Sequence, residues 1–563
     1  MAKEPVLSLS KDARPVVLLL LALAVGGCGR CGSARDLGIK VVVPAMPTTL
    51  DWNTSDPVSW TNYPIVLATM RGLTTVDSEN RIQPGLAARW ERERDSQGRE
   101  IYTFHLRPGV KWSDGMTALS ANDFVFGWRR AVVGKERGEM QDVLGADQVV
   151  RLLDDGAAHG AVEAAVERLA VEAVDGDTLR VTLARPRNYF LARIANVYLF
   201  YPAPSADLAG RTEDEIREYF ERPRAGKPLS LGPFRVESWD RPGERVRIVQ
   251  NEFSSFLPSL GSAEAQPKGV ILMKSEVGAA LFERGRVDFV FVDSPFALAE
   301  TAARQLQRQE LLSTYFLAFN TQRPPLNRPE LRRALAMALD REALLRGLLP
   351  HARPAFSLLP PELIRASDSR TQPPTSAIEL QEAKRQLAAI GGDRALRLVY
   401  RAGESFIPEV AIAERIQAQW AAVGVRVELD PRYDFSAEIG RLSSDGYPAP
   451  DLYLKRIGAD YFHPKSFFTL FEKGGNHHTG WEKIDGGSAI ERFEELLANA
   501  DSKPDLESAR PLYLEAERLL VTDEAVIVPL YHPDRYYLAR SSLRGLGVDR
   551  FNFLSVGSVT SAR

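Results

Sequence analysis

Tyr102-Thr103-Phe104-His105-Leu106-Arg107-Pro108-Gly109-Val110-Lys111-Trp112-Ser113-Asp114-Gly115, followed by Asn122-Asp123-Phe124-Val125-Phe126-Gly127-Trp128, encodes a strand, two turns and a helix in immediate succession. Ile101 to Leu106 alternates apolar and polar residues with the period of a strand. Arg107-Pro108-Gly109 stops it with a turn, and Asp114-Gly115 marks a second turn beyond Trp112. Ser120-Ala121-Asn122-Asp123 then caps an apolar helix running through Val132, because its side-chain oxygens satisfy the free amides of the first turn. The unit is structural: Trp112 is predicted to be buried, and nothing in it carries ligand chemistry.

Working outward, Ile39-Lys40-Val41-Val42-Val43 reads as a strand stopped by Pro44. A tight turn at Asp175-Gly176-Asp177-Thr178 joins Leu169–Val174 to Leu179–Leu183 as a hairpin. Pro408 suits a first helical position, Glu409 to Val423 the helix after it, and Gly424 the passage into a strand at Val425–Leu429. The Pro-rich stretch Leu359 to Pro374 is expected to be a surface loop. Helices and strands alternating over 563 residues predict an α/β body of more than one lobe. The composition, 44 % apolar and 26 % charged, is that of a folded chain. A net charge of −3 gives no basic excess for nucleic acid, and two cysteines exclude a disulfide scaffold or a four-cysteine zinc site.

Lys3, Lys11 and Arg14 precede the uncharged run Val16–Val25. As a helix that run is about 15 Å long, half of what a bilayer core requires. It reads as a secretory signal over residues 1–27, and Val25-Gly26-Gly27-Cys28 resembles the lipobox of bacterial lipoproteins. That resemblance implies lipidation of Cys28, a tether over residues 28–36, and an exported protein anchored to a membrane of the cell envelope. Gly27-Cys28-Gly29-Arg30-Cys31-Gly32 also satisfies GxGxxG and CxxC. Neither the βαβ nor the thioredoxin-like context is present, so both matches are coincidences of a processing site.

The chain contains no GxSxG elbow, HExxH pair or GxxxxGK[ST] loop. Asp460, His463, His477 and His478 form the one cluster that could suggest a metal, but their spacing matches no ligand pattern. No catalytic residue, metal or cofactor is therefore expected. Arg92, Arg94 and Arg99, interleaved with Glu91, Glu93, Asp95 and Glu100, read as a solvated charged face.

The opening stretch closely resembles the signature of the extracellular solute-binding family 5, the peptide- and nickel-type binding proteins of bacterial ABC importers. The likeness continues in order through Leu231–Val236, Arg241–Val246, Phe282–Phe289, Phe319-Asn320, Pro329–Arg341, Ala411–Leu429 and Val526–Tyr531. It implies a two-lobed periplasmic-binding-protein-like α/β fold with an additional third subdomain, hinged between the lobes. The first lobe would comprise residues 37–70, 190–310 and 530–563, the extra subdomain 71–189, and the second lobe 311–529. Gly458-Ala459-Asp460-Tyr461 resembles the family segment whose Asp holds a peptide's α-ammonium. By that resemblance Asp460 is the leading ligand residue. Ile457 and Gly458 would offer backbone to an extended peptide, and Tyr461, Tyr315 and Tyr531 would line the cleft.

Three departures bear on the ligand. Ile457 stands where relatives commonly carry Trp, Arg71 where an acid precedes Gly-Leu, and Trp52 where Pro is common. The function implied is capture of short peptides by a monomer that delivers them to permease subunits, without nucleic acid. A nickel chelate, a sugar or a cell-wall fragment on the same fold, a signalling receptor, and an exported hydrolase are the alternatives.

Overall fold

The computed structural model describes residues 38–54, 61–223, 227–256, 264–265, 267–293, 298, 300–364, 377–388, 395–403, 408–433, 450–475 and 479–562. The signal, the tether, Cys28, Cys31, His477 and His478 lie outside the described residues, as does the Pro-rich stretch beyond Ile364.

Two large sheets organise the body. The first has seven strands in the order Leu306–Glu310, Asp534–Ala539, Phe289–Val292, Ile39–Val43, Gly269–Lys274, Arg245–Gln250 and Phe234–Asp240. Ile39–Val43 sits at its centre, parallel to both neighbours, which is where a β-branched run buried on both faces belongs. The second sheet has six strands in the order Arg353–Pro354, Ile527–His532, Ser313–Phe319, Leu452–Gly458, Leu396–Arg401 and Val427–Arg432. Along Ser313–Phe319 the side chains alternate strictly: Phe316 and Ala318 enter one core, Tyr315, Leu317 and Phe319 the other.

Two strand pairs join the sheets. Leu306–Glu310 continues through Leu311 and Leu312 into Ser313–Phe319, and Ile527–His532 continues through Pro533 into Asp534–Ala539. These segments pair with each other in both sheets, and at the crossing Leu311 N–H donates to Pro533 O at 3.3 Å. This is the geometry of a hinge: a few residues carry every change of angle between the sheets.

A four-stranded sheet of Ala87–Arg94, Glu100–Leu106, Thr178–Thr182 and Val171–Ala173 contains the diagnostic unit. Trp112 is fully buried and donates Nε1–H to Asp123 Oδ2 at 3.2 Å. The same carboxylate accepts from Ser120 N–H at 3.0 Å, so Asp123 closes a capping box on helix Ala121–Ala131 while orienting the indole. Gly109 and Gly115 take φ of +73° and +71°, the left-handed geometry their turns require.

Four local expectations differ from the structure. Pro408 is the cap of helix Glu409–Ala421 rather than its first residue, since its carbonyl accepts the first helical bond, from Ile412 N–H. The following strand is Val427–Arg432, because Val425 N–H is held by Trp420 O and closes the helix. Leu359, Leu363 and Ile364 are core residues packed in the second lobe's sheet–helix layer, where Glu517 accepts from Leu359 N–H at 3.0 Å. Glu100 is not solvated: it is buried and accepts from Arg92 Nε at 2.5 Å and Arg187 N–H at 3.2 Å.

Candidate functional site

Leu452–Gly458 ends beside the crossing strands that join the two sheets. On one side it is laddered to Ser313–Phe319, with Ile457 opposite Thr314 and Gly458 opposite Ser313. On the other, its parallel register with Leu396–Arg401 covers only Leu452 and Tyr453. At Ile457 and Gly458 that second edge carries no strand register among the described residues.

The chain then turns out of the sheet. Ala459 N–H donates to Leu312 O at 2.8 Å, tying the segment to the crossing strand. Asp460 N–H donates to Ser466 Oγ at 2.8 Å, which fixes the backbone and leaves the carboxylate facing outward. The Asp460 side chain is open to solvent, yet protein gathers around it from both lobes. Burial pushes its carboxyl up to about 7; Glu139 and Glu136 act in the same sense, while Arg193 and Arg456 oppose it. A carboxyl so placed is costly to ionise on its own and gains by meeting a cation.

The other expected residues are placed differently. Tyr461 is buried, belongs to the core of the four-stranded sheet, and stacks on Tyr189 with ring centroids 5.8 Å apart. Tyr315 and Tyr531, paired across the ladder with centroids at 5.0 Å, have no exposed surface at all. They belong to the core beneath helix Glu409–Ala421, so in this conformation they back the strand and do not line the cleft. Tyr315 shares a face with Leu317 and Phe319, and the register shift beside it, which leaves Leu530 as an extra residue between Pro529 and Tyr531, brings Tyr531 to the same core. Ile457 packs part-buried on the core that holds Phe316 and Ala318, and its carbonyl accepts from Ser313 Oγ–H at 2.7 Å. Gly458 is half-buried, with nothing nearer than 3.7 Å to a built Cβ. The strand alone therefore brings together Asp460, Ile457 and Gly458.

Sequence reading missed Glu136, Glu139, Arg193 and Tyr63, all of which act electrostatically with Asp460 or on it. They come from remote parts of the chain and have no motif of their own. Lys455, held down to about 8 by burial, and Arg456, lowered first by burial and then by Arg401, add cationic character to the same strand end. Among the described residues no group of three or more His, Cys, Asp or Glu is placed to hold a metal ion. Asp460 and His463 do not combine into one either, for the His463 ring is buried and its Nδ1 accepts from Lys465 N–H.

Two sheets linked by a pair of crossing strands, with a solvent-open carboxylate at the strand end between them, define a two-lobed solute-binding protein. The family model "Bacterial extracellular solute-binding proteins, family 5 Middle" matches residues 81–478, and the chain belongs to that family, the solute-binding proteins of ABC importers. It is 27 % identical over 485 residues to the probable deoxycholate-binding periplasmic protein YgiS of Escherichia coli, covering 83 % of each chain. It is 24 % identical over 559 residues to the oligopeptide-binding protein OppA of Bacillus subtilis, covering 94 % of each. Among solved structures, the Escherichia coli murein tripeptide binding protein MppA superposes with a TM-score of 0.69 at 22 % identity, over 93 % of this chain and 98 % of that one. That likeness gives the fold: two lobes of the OppA and MppA type.

Proposed function

We propose that the protein captures short peptides with a free amino terminus and passes them to the permease of an ABC importer. The observation that carries this reading is Asp460, a carboxyl at the end of the strand Leu452–Gly458 that its surroundings make costly to ionise without a cationic partner. A peptide α-ammonium supplies the missing cation, and the bond is charge-assisted, which makes it stronger than a neutral one. The open edge at Ile457 and Gly458 then pairs with the peptide backbone, giving affinity without a demand on side chains. The oligopeptide-binding names of several relatives support the same ligand class. In this reading the protein is exported and lipid-anchored through Cys28, and it acts as a monomer.

A second reading has one observation in its favour. Ile457 replaces the usual aromatic wall, and Lys455 and Arg456 stand beside it, so an apolar carboxylate would find both a greasy surface and cations. The deoxycholate-binding name of one relative fits that chemistry. Mass spectrometry of ligand released by denaturing the protein purified from its native host separates the two. Free-amino peptides are expected; a steroid acid in stoichiometric amount, with no peptide, would overturn the first reading.

A further inference from the structure

The lobes meet in a buried charged cluster that neither reading of the cleft uses. Arg187 lies at its centre. Its Nε donates to Asp142 Oδ1 at 2.7 Å, and its Nη1 reaches Asp501 Oδ2 at 3.4 Å. Asp142 belongs with the four-stranded part, and Arg187 itself is tied there through its N–H to Glu100. Asp501 ends helix Ser488–Asp501 of the second lobe. Both carboxylates are almost wholly buried. Beside this bridge, Asn188 N–H donates to Asp501 O at 2.9 Å and Asn188 Nδ2 to Ala500 O at 3.0 Å. Tyr189 stacks on Tyr461, the residue next to Asp460.

Each carboxylate also has partners on its own side. Asp142 accepts from Arg193 Nη1 at 2.6 Å and Tyr189 Oη at 3.1 Å. Asp501 accepts from Tyr513 Oη at 2.7 Å, with Lys465 Nζ at 3.6 Å. Removing one member of a buried ion pair is normally costly because the other charge is stranded. Opening the lobes would strand neither carboxylate: Arg187, one-fifth exposed, keeps Asp142 on its own side, and Asp501 keeps Tyr513 and Lys465 on the other. A contact that is geometrically specific when made and cheap to release is the requirement for a reversible two-state element.

We propose that Arg187 and Asn188 form an interlobe latch that favours the closed cleft even without ligand, and so sets how readily solute is released. The proposal does not depend on which solute binds. Its test is the distance between spin labels at Ala164→Cys and Glu495→Cys, exposed positions on a helix of each lobe, in ligand-free full-length protein with Cys28 and Cys31 replaced by Ser. Arg187→Met is expected to lower the closed-to-open ratio at least tenfold, about 1.4 kcal/mol. Arg187→Lys, which keeps one ionic contact, should fall between. Arg492→Met, removing an exposed pair to Glu515 inside the second lobe, should leave the distribution unchanged. Asn188→Ala, which introduces no unpaired charge, should shift it the same way by about threefold. A wild-type distance distribution in folded Arg187→Met, or in Asn188→Ala should Arg187→Met not fold, overturns the latch, as does an equal shift in Arg492→Met.

Discussion

If Asp460 holds a ligand ammonium, affinity must follow the ionisation of both partners, and the structure sets the scale. Burial pushes the carboxyl up to about 7, and only its ionised form pairs with a cation. A peptide α-ammonium loses its proton at about 7.7–8.0. The product of the two populations is greatest near pH 7.4. With these values the affinity falls about 50-fold on going to pH 5, where roughly one Asp460 in a hundred is ionised. It falls about 8-fold by pH 9, where most of the peptide amine is neutral. Trialanine titrated calorimetrically from pH 5 to 9 would trace this bell. Asp460→Asn should weaken binding at pH 7.4 and abolish the acidic limb while keeping the alkaline one. An affinity that changes less than threefold between pH 5 and 7.4, in protein still folded by circular dichroism, would refute the reasoning. Stability carries the opposite sign. A carboxyl raised from 3.8 to about 7 costs nothing below pH 4, progressively more between pH 4 and 7, and a constant amount above that. Asp460→Asn should therefore stabilise the ligand-free protein at pH 8 and not at pH 4.

Other consequences follow from burial. Trp112→Ala should cost about 3–5 kcal/mol, read from urea unfolding, because it leaves an indole-sized void under a cap that loses its Asp123 contact; a loss below 1 kcal/mol would contradict its structural role. Tyr315→Phe and Tyr531→Phe should leave peptide affinity within about twofold, since both rings lie behind the strand; a fivefold loss in a titration would return them to the cleft. Cys28→Ser should release the protein from the membrane fraction and end its labelling by palmitate. Unlabelled, soluble wild-type protein would rule out the anchor.

The fold was legible where one local rule decided the outcome. The strand at Glu100–Leu106, its Arg-Pro-Gly stop, buried Trp112 and the Ser120–Asp123 capping box all depend on neighbours in sequence. The Pro-rich stretch misled because proline signals a turn while leucine signals burial, and contact with helix Leu506–Arg518 gave burial the advantage at Leu359 and Leu363. Glu100 misled for a similar reason. Its partners Arg92 and Arg187 come from two different elements, and no charge pattern within the strand reveals the second. At the site, Asp460 was reachable through a resembling segment, but Glu139 and Arg193 were not. They approach it only because the lobes face each other, and tertiary electrostatics leaves no periodic trace in the chain.

The most direct test of the central claim is a pair of calorimetric titrations on the protein after denaturation and refolding to strip bound solute. One uses a mixed pool of di- to pentapeptides, the other the same pool acetylated at the amino terminus, each with wild type and Asp460→Ala. Amino-terminal capture predicts a saturable heat with the free pool, at least tenfold weaker in Asp460→Ala, about 1.4 kcal/mol, and lost with the acetylated pool. Equal binding of both pools, or no heat from either with a refolded native spectrum, would contradict it.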